Sequence, residues 1–480
     1  MTHSFIQLTR ATVARETGAG GGGGATEPSF QRKPRDCAVQ STLTPAHWAP
    51  MFRSLVNKQF PVNKVEFRLV LAFLSVALAT SSLTGTLPAP AAAPTIASDA
   101  VRSIAEIHML DATNGWAWSN GLDGQNLLLR TTDGGQTWMD RTPRAFPHVG
   151  GGGCFLDAQT AWVSTHDRKT YDGGLLRTVD GGKSWSVLIK QGAAPYKCFT
   201  EGSCHFFNAN HGIAETTEFG SGNAYYRYFE THDGGTTWSP VIITSTYADN
   251  DLPPGTIHLC NLCGDRISYY PPTKVIITHG DHGDEQPKGA VRLSLSMNLG
   301  ESWRDLRLPV PEKYPDGLAT PLSPVFFDDK EGLLAAHILK RNADNTLAYS
   351  VLVFYASDDG GITWTARPGI IELTSERKEW SFVSHVDVVS LKEVFVRGGP
   401  NLYVTRDGAR TWQTIRPNID FGLERAKSKR DVSRMDFVDA THGWVVISEI
   451  ITDYPYSRFL SYKASDGGAT WTELPLKIVP

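Results

Sequence analysis

The chain has 480 residues, of which 41% are hydrophobic and 20% are charged, so it can bury one large core or several average domains. Its formal net charge of −4 excludes the strong basic excess that is typical of nucleic-acid-binding proteins. The abundance of glycine (45) and tryptophan (13) favours turn-rich β-structure over helical bundles.

The first 98 residues differ in composition from the rest. A glycine-rich stretch at 18–29 predicts disorder, because it offers nothing to bury. A basic segment at 51–68 is followed by the apolar run LVLAFLSVALA (69–79) and by small residues, the layout of a secretory signal. We therefore expect an exported protein, periplasmic or extracellular, with 51–98 as a cleaved signal peptide or an uncleaved anchor plus an Ala/Pro linker. Residues 1–50 are then either disordered or an extension ahead of a start at Met51.

Residues 99–480 contain one eight-residue motif seven times, first as TTDGGQTW at 131–138. Seven of the thirteen tryptophans close one copy each, and successive copies are 47 to 65 residues apart, which predicts a repeat architecture. The acid or amide and the tryptophan of the successive copies are Asp133 and Trp138, Asp180 and Trp185, Asp233 and Trp238, Asn298 and Trp303, Asp359 and Trp364, Asp407 and Trp412, and Asp466 and Trp471.

Each repeat predicts four strands. Two strands flank a polar turn, as in MLDATNGWAW (109–118) and FVDATHGWVV (437–446), a third strand enters the DGG motif, and a fourth follows the tryptophan. A four-stranded antiparallel meander cannot bury both faces alone, but radial stacking of copies can. We therefore predict an all-β fold, a seven-bladed β-propeller in one domain. Residues 476–479 are predicted to be the fourth strand of the last blade itself. We therefore expect the ring to close by packing alone or with a contribution from residues 94–101.

The DGG motif reads as a folding device. An aspartate carboxylate pins a tight turn through hydrogen bonds to nearby backbone N–H groups, and glycine supplies the positive φ angles that such a turn needs. The tryptophan anchors the hairpin on a neighbouring sheet. The additional acidic ligands that Ca²⁺ requires are missing from the motif, so we assign these aspartates no metal-binding or catalytic role.

The pattern S/T-x-D-G-G-x-T/S-W resembles the BNR or Asp-box repeat of the sialidase superfamily. Over residues 104–475 the fuller repeat is similar to the seven-bladed photosystem II assembly and stability factor group. The resemblance implies the fold but not an activity, because such propellers include glycosidases and non-catalytic assembly factors. Sialidases carry an F/Y-R-I-P motif before the first box, whereas this chain has only Arg102 and Arg130 there. The tyrosines and glutamate of NAYYRYFE (223–230) are predicted on an outer strand, away from the channel.

The long connections between repeats are predicted on the face opposite the DGG turns, where loops on a rigid scaffold commonly carry function. Two clusters there are candidates for binding, or are solvated polar loops. They are the acid- and histidine-rich cluster His279, Asp281, His282, Asp284 and Glu285, and the basic cluster Arg425, Lys427 and Arg430.

Five cysteines lie after the export signal: Cys154, Cys198, Cys204, Cys260 and Cys263. In an exported protein we expect disulfides, such as Cys198 or Cys204 with Cys260 or Cys263. The CNLCGD segment leaves zinc binding open as an alternative, and free thiols as another.

We therefore expect an exported, monomeric, non-enzymatic propeller that binds a protein partner or a glycan through its loop-rich face. It would use no cofactor, metal or nucleic acid, and would contact a membrane only through an N-terminal anchor. The alternative is a sialidase-like glycoside hydrolase acting on exo-glycosidic bonds, with Asp281, Asp284 and Glu285 as candidate carboxylates at the channel mouth. A photosystem assembly factor is a third interpretation.

Overall fold

The computed structural model describes residues 103–120, 126–143, 149–166, 173–189, 203–220, 223–245, 256–258, 266–280, 288–344, 346–373, 383–422, 430–450 and 457–479. Within these ranges the regular secondary structure is entirely β-strand, and no helix is long and apolar enough to cross a membrane. The glycine-rich stretch and the predicted export signal lie outside the described residues.

The strands form seven sheets, which are the blades, numbered here in chain order. Blade 1 contains Ser103–Met109 (β1), Gly115–Asn120 (β2), Leu127–Thr131 (β3) and Trp138–Asp140 (β4). Blade 2 contains Val149–Phe155 (β5), Ala161–His166 (β6), Gly173–Thr178 (β7) and Ser186–Ile189 (β8). Blade 3 contains Ser203–Phe206 (β9), Gly212–Gly220 (β10), Asn223–Thr231 (β11), Ser239–Ser245 (β12) and Thr256–His258 (β13).

The remaining blades follow the same order. Blade 4 contains Arg266–Tyr270 (β14), Lys274–Thr278 (β15), Ala290–Ser296 (β16) and Arg304–Pro309 (β17). Blade 5 contains Leu318–Pro321 (β18), Val325–Phe326 (β19), Gly332–Arg341 (β20), Leu347–Ser357 (β21), Thr365–Ala366 (β22) and Ile371–Glu372 (β23). Blade 6 contains Val383–Val388 (β24), Val394–Gly398 (β25), Asn401–Thr405 (β26) and Gln413–Ile415 (β27). Blade 7 contains Arg430–Phe437 (β28), Gly443–Ile450 (β29), Ser457–Ala464 (β30) and Trp471–Glu473 (β31), and Ile478–Val479 forms β32.

The predicted seven-bladed propeller is confirmed. Each blade is an antiparallel meander, and the first strands of neighbouring blades approach one another, as β1 and β28 do, so these strands line the centre. Among the described residues, one hydrophobic cluster fills each of the seven seams between adjacent blades. The seam between blades 7 and 1, for example, packs Trp444 against Ile107. Both faces of every sheet are therefore covered, which a single blade could not achieve.

The ring closes through the C-terminal strand. β32 pairs in parallel with β4 of blade 1, and Trp138 N–H donates to the Lys477 carbonyl (2.9 Å). The expectation that 476–479 form the last blade's own fourth strand is therefore wrong, because β31 already fills that position. The C-terminal strand instead crosses from blade 7 to blade 1. There it pairs with the edge strand β4, whose backbone N–H and C=O groups need hydrogen-bond partners.

The DGG turns join the third and fourth strands of each blade. In the first copy Asp133 Oδ1 accepts from Thr131 Oγ1 (2.8 Å) and from Thr137 N–H (2.9 Å), and Asp133 Oδ2 accepts from Thr137 Oγ1 (2.6 Å). Gly134 and Gly135 have φ angles of 75° and 90°. Asn298 replaces the aspartate in blade 4 and still accepts from Ser302 N–H (3.0 Å). The turn thus needs one side-chain oxygen that accepts from the backbone, and two residues with positive φ angles.

These turns also contact the preceding blade. Trp444 Nε1 on blade 7 donates to the Gly134 carbonyl of blade 1 (3.0 Å), and Trp162 Nε1 on blade 2 donates to the Gly234 carbonyl of blade 3 (2.8 Å). Within a blade, the first turn lies beside the DGG turn, since Gly134 N–H donates to the Thr113 carbonyl (2.7 Å). We call the end of the propeller that carries these two turns the Asp-box face.

Candidate functional site: the inner strands of blades 6, 7 and 1

The penultimate residue of the inner strand differs from blade to blade. Asp387 and Asp436 occupy this position in blades 6 and 7, whereas blades 1, 2 and 3 hold His108, Cys154 and His205. In blades 6, 7 and 2 the side chain reaches the inner strand of the next blade. The position lies just before the first turn, and therefore at the Asp-box end of the centre.

Two carboxyl groups contact neighbouring blades, Asp436 buried and Asp387 half-buried. Asp387 Oδ2 accepts a hydrogen bond from Phe437 N–H (2.6 Å), and Asp436 Oδ2 accepts one from Met109 N–H (2.6 Å). Each carboxylate thus touches the strand that follows it around the ring. Because Phe437 is the residue next to Asp436, the first contact also brings Asp387 close to the second carboxylate.

The environment of Asp387 favours its protonated form. Burial raises the pKa of its carboxyl well above the usual range, and the negative charge of Asp436 raises it further. The hydrogen bond from Phe437 N–H and the positive charge of Arg434 oppose this shift without cancelling it. Asp387 is therefore a carboxylic acid at neutral pH, as a general acid must be, and the carboxyl group of Asp436 lies on the neighbouring inner strand.

Two further buried titratable groups belong to blade 3. The pKa of His205 falls to about 4 because of burial and the charges of His108 and His211, so its imidazole is neutral. The pKa of Glu215 rises to about 7 because of burial, which a hydrogen bond with Tyr228 only partly offsets. His205 lies on the inner strand of blade 3, whereas Glu215 lies on its second strand.

A disulfide cross-links the inner strands of blades 2 and 3. Cys154 on β5 is bonded to Cys204 on β9, with a Cα–Cα distance of 5.7 Å. The predicted pairing of Cys204 with Cys260 or Cys263 is therefore wrong, because the two inner strands lie side by side. Cys198, Cys260 and Cys263 lie outside the described residues.

A second polar cluster lies on the Asp-box face of blade 3. His211 Nε2 and Glu230 Oε1 are 2.6 Å apart, and His232 Nε2 lies 3.6 Å from the same oxygen. Tyr269 on blade 4 donates to the other oxygen of Glu230 (3.1 Å). In the described part of the chain, these three imidazole and carboxylate groups are the arrangement whose donor atoms converge closely enough to hold a metal ion.

The sequence-predicted binding residues are only partly described. His279 Nε2 lies 2.8 Å from Ser294 Oγ, and Arg430 Nε donates to Glu449 Oε1 (2.8 Å) at the start of β28. Each of these side chains thus has partners within its own blade. The other predicted residues, Asp281, His282, Asp284, Glu285, Arg425 and Lys427, lie outside the described residues, so the loop-rich binding face stays a prediction.

Sequence reasoning missed both polar clusters at the Asp-box end. A signal was present, because aligning the repeats on the polar first turn, at Asp111, Asp157, Asn208, Ser390 and Asp439, places His108, Cys154, His205, Asp387 and Asp436 at one common position, three residues earlier. Five polar or reactive residues at one position of a predicted inner strand are unusual for a packed core. The coming together of His211, Glu230 and His232 depends on turn geometry, which the repeat pattern alone does not reveal.

The comparisons with known proteins agree with the recognition of the repeat. The family model described as BNR/Asp-box repeat matches residues 355–366, which contain the fifth copy of the motif. Together with the seven blades, this match confirms an Asp-box propeller. No curated protein sequence matches the chain. The resemblance to the photosystem II assembly factor group stays a prediction.

Several solved propeller structures are similar to this chain. The α-L-arabinofuranosidase Arb93A from Fusarium graminearum, solved with an iminosugar inhibitor, has 13% identity and a TM-score of 0.37, covering 67% of this chain and 93% of its own. The GH74 xyloglucanase from Xanthomonas campestris has 15% identity and a TM-score of 0.34, covering 78% and 60%. A PL25 ulvan lyase has 9% identity and a TM-score of 0.41, covering 78% and 96%.

These neighbours correct the functional prediction. The expectation of a non-enzymatic scaffold is contradicted, since the solved structures that resemble this chain are glycosidases and a polysaccharide lyase. They agree better with the alternative of a glycoside hydrolase. At these identities and TM-scores they specify neither a substrate nor catalytic residues, which have to be argued from the side chains of this chain.

Proposed function

We propose that the protein is a carbohydrate-active enzyme, a glycoside hydrolase whose acid and base are Asp387 and Asp436. The observation that carries the proposal is the pair itself: two carboxyl groups on neighbouring inner strands, one of which has a pKa raised by burial and by the charge of the other. Glycosidases commonly cleave with two carboxyl groups, one protonated and one ionised, on either side of the scissile bond.

Each carboxyl group has a distinct role in this proposal. Asp387 keeps its proton at neutral pH and donates it to the departing glycosidic oxygen, so that the leaving sugar departs as an alcohol. Asp436 is the second carboxyl group, which either activates a water molecule or attacks the anomeric carbon. The positive charge of Arg434 opposes the raised pKa of Asp387 without cancelling it, so Asp387 keeps a proton that it can give up during the reaction.

An exported location fits this activity. Disulfides persist in oxidising compartments, and the Cys154–Cys204 bond joins two neighbouring blades. Polysaccharides are substrates that an exported enzyme would meet. We therefore propose secretion or periplasmic retention together with the hydrolase activity.

The proposal is tested by incubating the purified protein with arabinan, xyloglucan and sialoside oligosaccharides and by separating the products. We expect one of these substrates to be hydrolysed. Its products should carry a new reducing end and no carbon–carbon double bond, which a lyase would introduce. Asp387→Asn and Asp436→Asn should each lower turnover by about 100-fold or more, because each substitution removes one proton-transfer or nucleophilic group. An asparagine oxygen can still accept the backbone hydrogen bond, so the fold should survive.

Asp439→Asn is the matched control. Asp439 lies in blade 7, three residues beyond Asp436, but it caps the first turn instead of facing the centre. Its substitution should leave turnover within about twofold, since general acid–base groups must reach the reacting atoms. Release of an unsaturated product, or equal activity in all three variants, would contradict the proposal.

A further inference from the structure

The His211–Glu230–His232 cluster departs from the pattern of blades 1, 2 and 7. At the position of Glu230, blades 1, 2 and 7 carry Arg130, Arg177 and Lys463, each of which lies over a tryptophan ring of its own blade. Blade 3 has a carboxylate at this position and Ile213 where the tryptophan would be. The cation that covers the tryptophan of the second strand in blades 1, 2 and 7 is thus replaced in blade 3 by an acid, which lies beside two imidazoles.

Local structure holds the three groups together. His211 ends the first turn of blade 3, Glu230 lies at the end of β11, and His232 lies in the DGG turn that follows. The two turns are joined because Gly234 N–H donates to the Asn210 carbonyl (2.8 Å). The imidazole rings stack with their centroids 4.8 Å apart. The backbone therefore fixes the donors before any ligand arrives.

The spacing of the donor atoms suits a small tetrahedral metal ion. All three lie within 4.8 Å of one another. Bonds of about 2.0–2.1 Å in a tetrahedral zinc site separate neighbouring donor atoms by ~3.3 Å. The observed 3.6 Å between His232 Nε2 and Glu230 Oε1 is close to this value, and the 2.6 Å between His211 Nε2 and the same oxygen needs to open by less than 1 Å.

The carboxylate also has an outer partner that orients it. Tyr269, on the inner strand of blade 4, donates to Glu230 Oε2, which leaves Oε1 directed at the two imidazoles. Metal-binding carboxylates usually have such a supporting hydrogen bond. Glu230 is largely buried, with a side-chain exposure of 14%, while His232 is 73% exposed, so one side of the cluster stays open to solvent.

We propose that His211, Glu230 and His232 form a Zn²⁺ site on the Asp-box face of blade 3, beside its seam with blade 4. Two imidazoles and one carboxylate form a donor set that zinc takes, and the open side leaves its fourth position to water. Tyr269 connects the site to blade 4. The site is independent of the proposed hydrolase activity.

The test is a calorimetric titration of the chelator-treated full chain with Zn²⁺, with the unfolding temperature measured in parallel. We expect one equivalent to bind and the unfolding temperature to rise, because an ion that binds only the folded state stabilises it. His232→Ala should weaken zinc binding by roughly 100-fold, and Tyr269→Phe by about 10–100-fold. His232 is mostly exposed, so its substitution should not impair folding.

His442→Ala is the matched control. His442 occupies in blade 7 the position of His211, and it lies 2.8 Å from Asp439 within its own first turn. Lys463 and Ser465 stand there at the positions of Glu230 and His232, so no donor set is complete. Zinc affinity should be unchanged in this variant. Zinc binding that survives His232→Ala, or that is absent from the unsubstituted protein, would overturn the proposal.

Discussion

The DGG turns and the inner strands show opposite relations between sequence and structure. All seven turns use similar residues in the same geometry, and even Asn298 reproduces the hydrogen bond of an aspartate. The inner strands occupy the same place in every blade, but their penultimate residue is a disulfide-bonded cysteine, a histidine or an aspartate. The repeated part of each blade therefore specifies the scaffold, and the part that differs distinguishes one seam from another.

This comparison suggests where activity lies. A site repeated seven times in a ring would give seven equivalent pockets, whereas a substrate of the proposed hydrolase, bound in the centre, would meet different groups on every side. The pKa of the repeated aspartates is lowered by local hydrogen bonds, as for Asp407 with Thr411, so they stay ionised and structural. Asp387, in the diverged part, has its pKa raised. The two regions therefore hold carboxyl groups in opposite protonation states at neutral pH.

The largest expected effect on stability comes from breaking the link between a turn and its neighbouring blade. Trp444 is fully buried and donates to the Gly134 carbonyl across the closing seam. Trp444→Ala should lower the free energy of unfolding by about 3–5 kcal/mol in denaturant titrations, because it leaves a large cavity. Trp444→Phe keeps most of the ring and should cost about 1–3 kcal/mol, since a buried carbonyl loses its donor. Equal costs for the two variants would show that the hydrogen bond, and not packing, dominates this seam.

The next effect comes from the inner strands. Replacing Cys154 and Cys204 by serine opens a covalent loop with a sequence separation of 50, which should cost about 2–4 kcal/mol in the free energy of unfolding. Reduction of the unsubstituted protein with a thiol should lower its unfolding temperature to a similar extent. A variant as stable as the unsubstituted protein would mean that packing alone holds blades 2 and 3 together.

The smallest effect is a difference in pH dependence between the two regions. Hydrogen bonds from His442 and Thr441 outweigh the opposing effect of partial burial and lower the pKa of Asp439 to about 2. Its contribution is therefore present above about pH 4 and is lost as the pH falls towards 2. Asp439 is exposed enough that we expect well under 1 kcal/mol. Asp439→Asn should flatten the acid limb of the stability curve slightly in acid-unfolding experiments.

Asp387 should behave in the opposite sense. Because its folded-state pKa lies above the unfolded value, the folded protein holds a proton that the unfolded chain releases, and stability falls as the pH rises above about 4. Asp387→Asn should remove this decline. A decline of unchanged slope in the variant would show that another group, such as Glu215, is responsible.

The sequence predicted the fold well because the fold depends on local, repeated signals. The motif containing Asp133 and Trp138 is recognisable within eight residues, and the number of its copies equals the number of blades. Ring closure by Ile478–Val479 was not predictable in the same way, since pairing with β4 depends on an edge created by a distant part of the chain. The Cys154–Cys204 bond likewise needs two inner strands to be placed side by side.

The candidate site was less predictable than the fold. A lone aspartate such as Asp387 looks ordinary in sequence, and its raised pKa arises only from burial and from the charge of Asp436 on another blade. Charge-rich loops such as the segment after His279 attracted attention instead, because unusual composition is visible without a structure. Burial and long-range electrostatics are properties of the assembled ring.

The most direct test of the division between scaffold and site compares two isosteric substitutions, Asp387→Asn and Asp133→Asn, in one assay. Turnover per folded molecule is measured on the cleaved oligosaccharide, with unfolding followed in parallel. We predict that Asp387→Asn loses about 100-fold or more of its turnover while remaining folded. Asp133→Asn should keep its turnover, because Asn298 already fills that role in blade 4. Equal turnover in the two variants, or a greater loss from Asp133→Asn, would contradict the account.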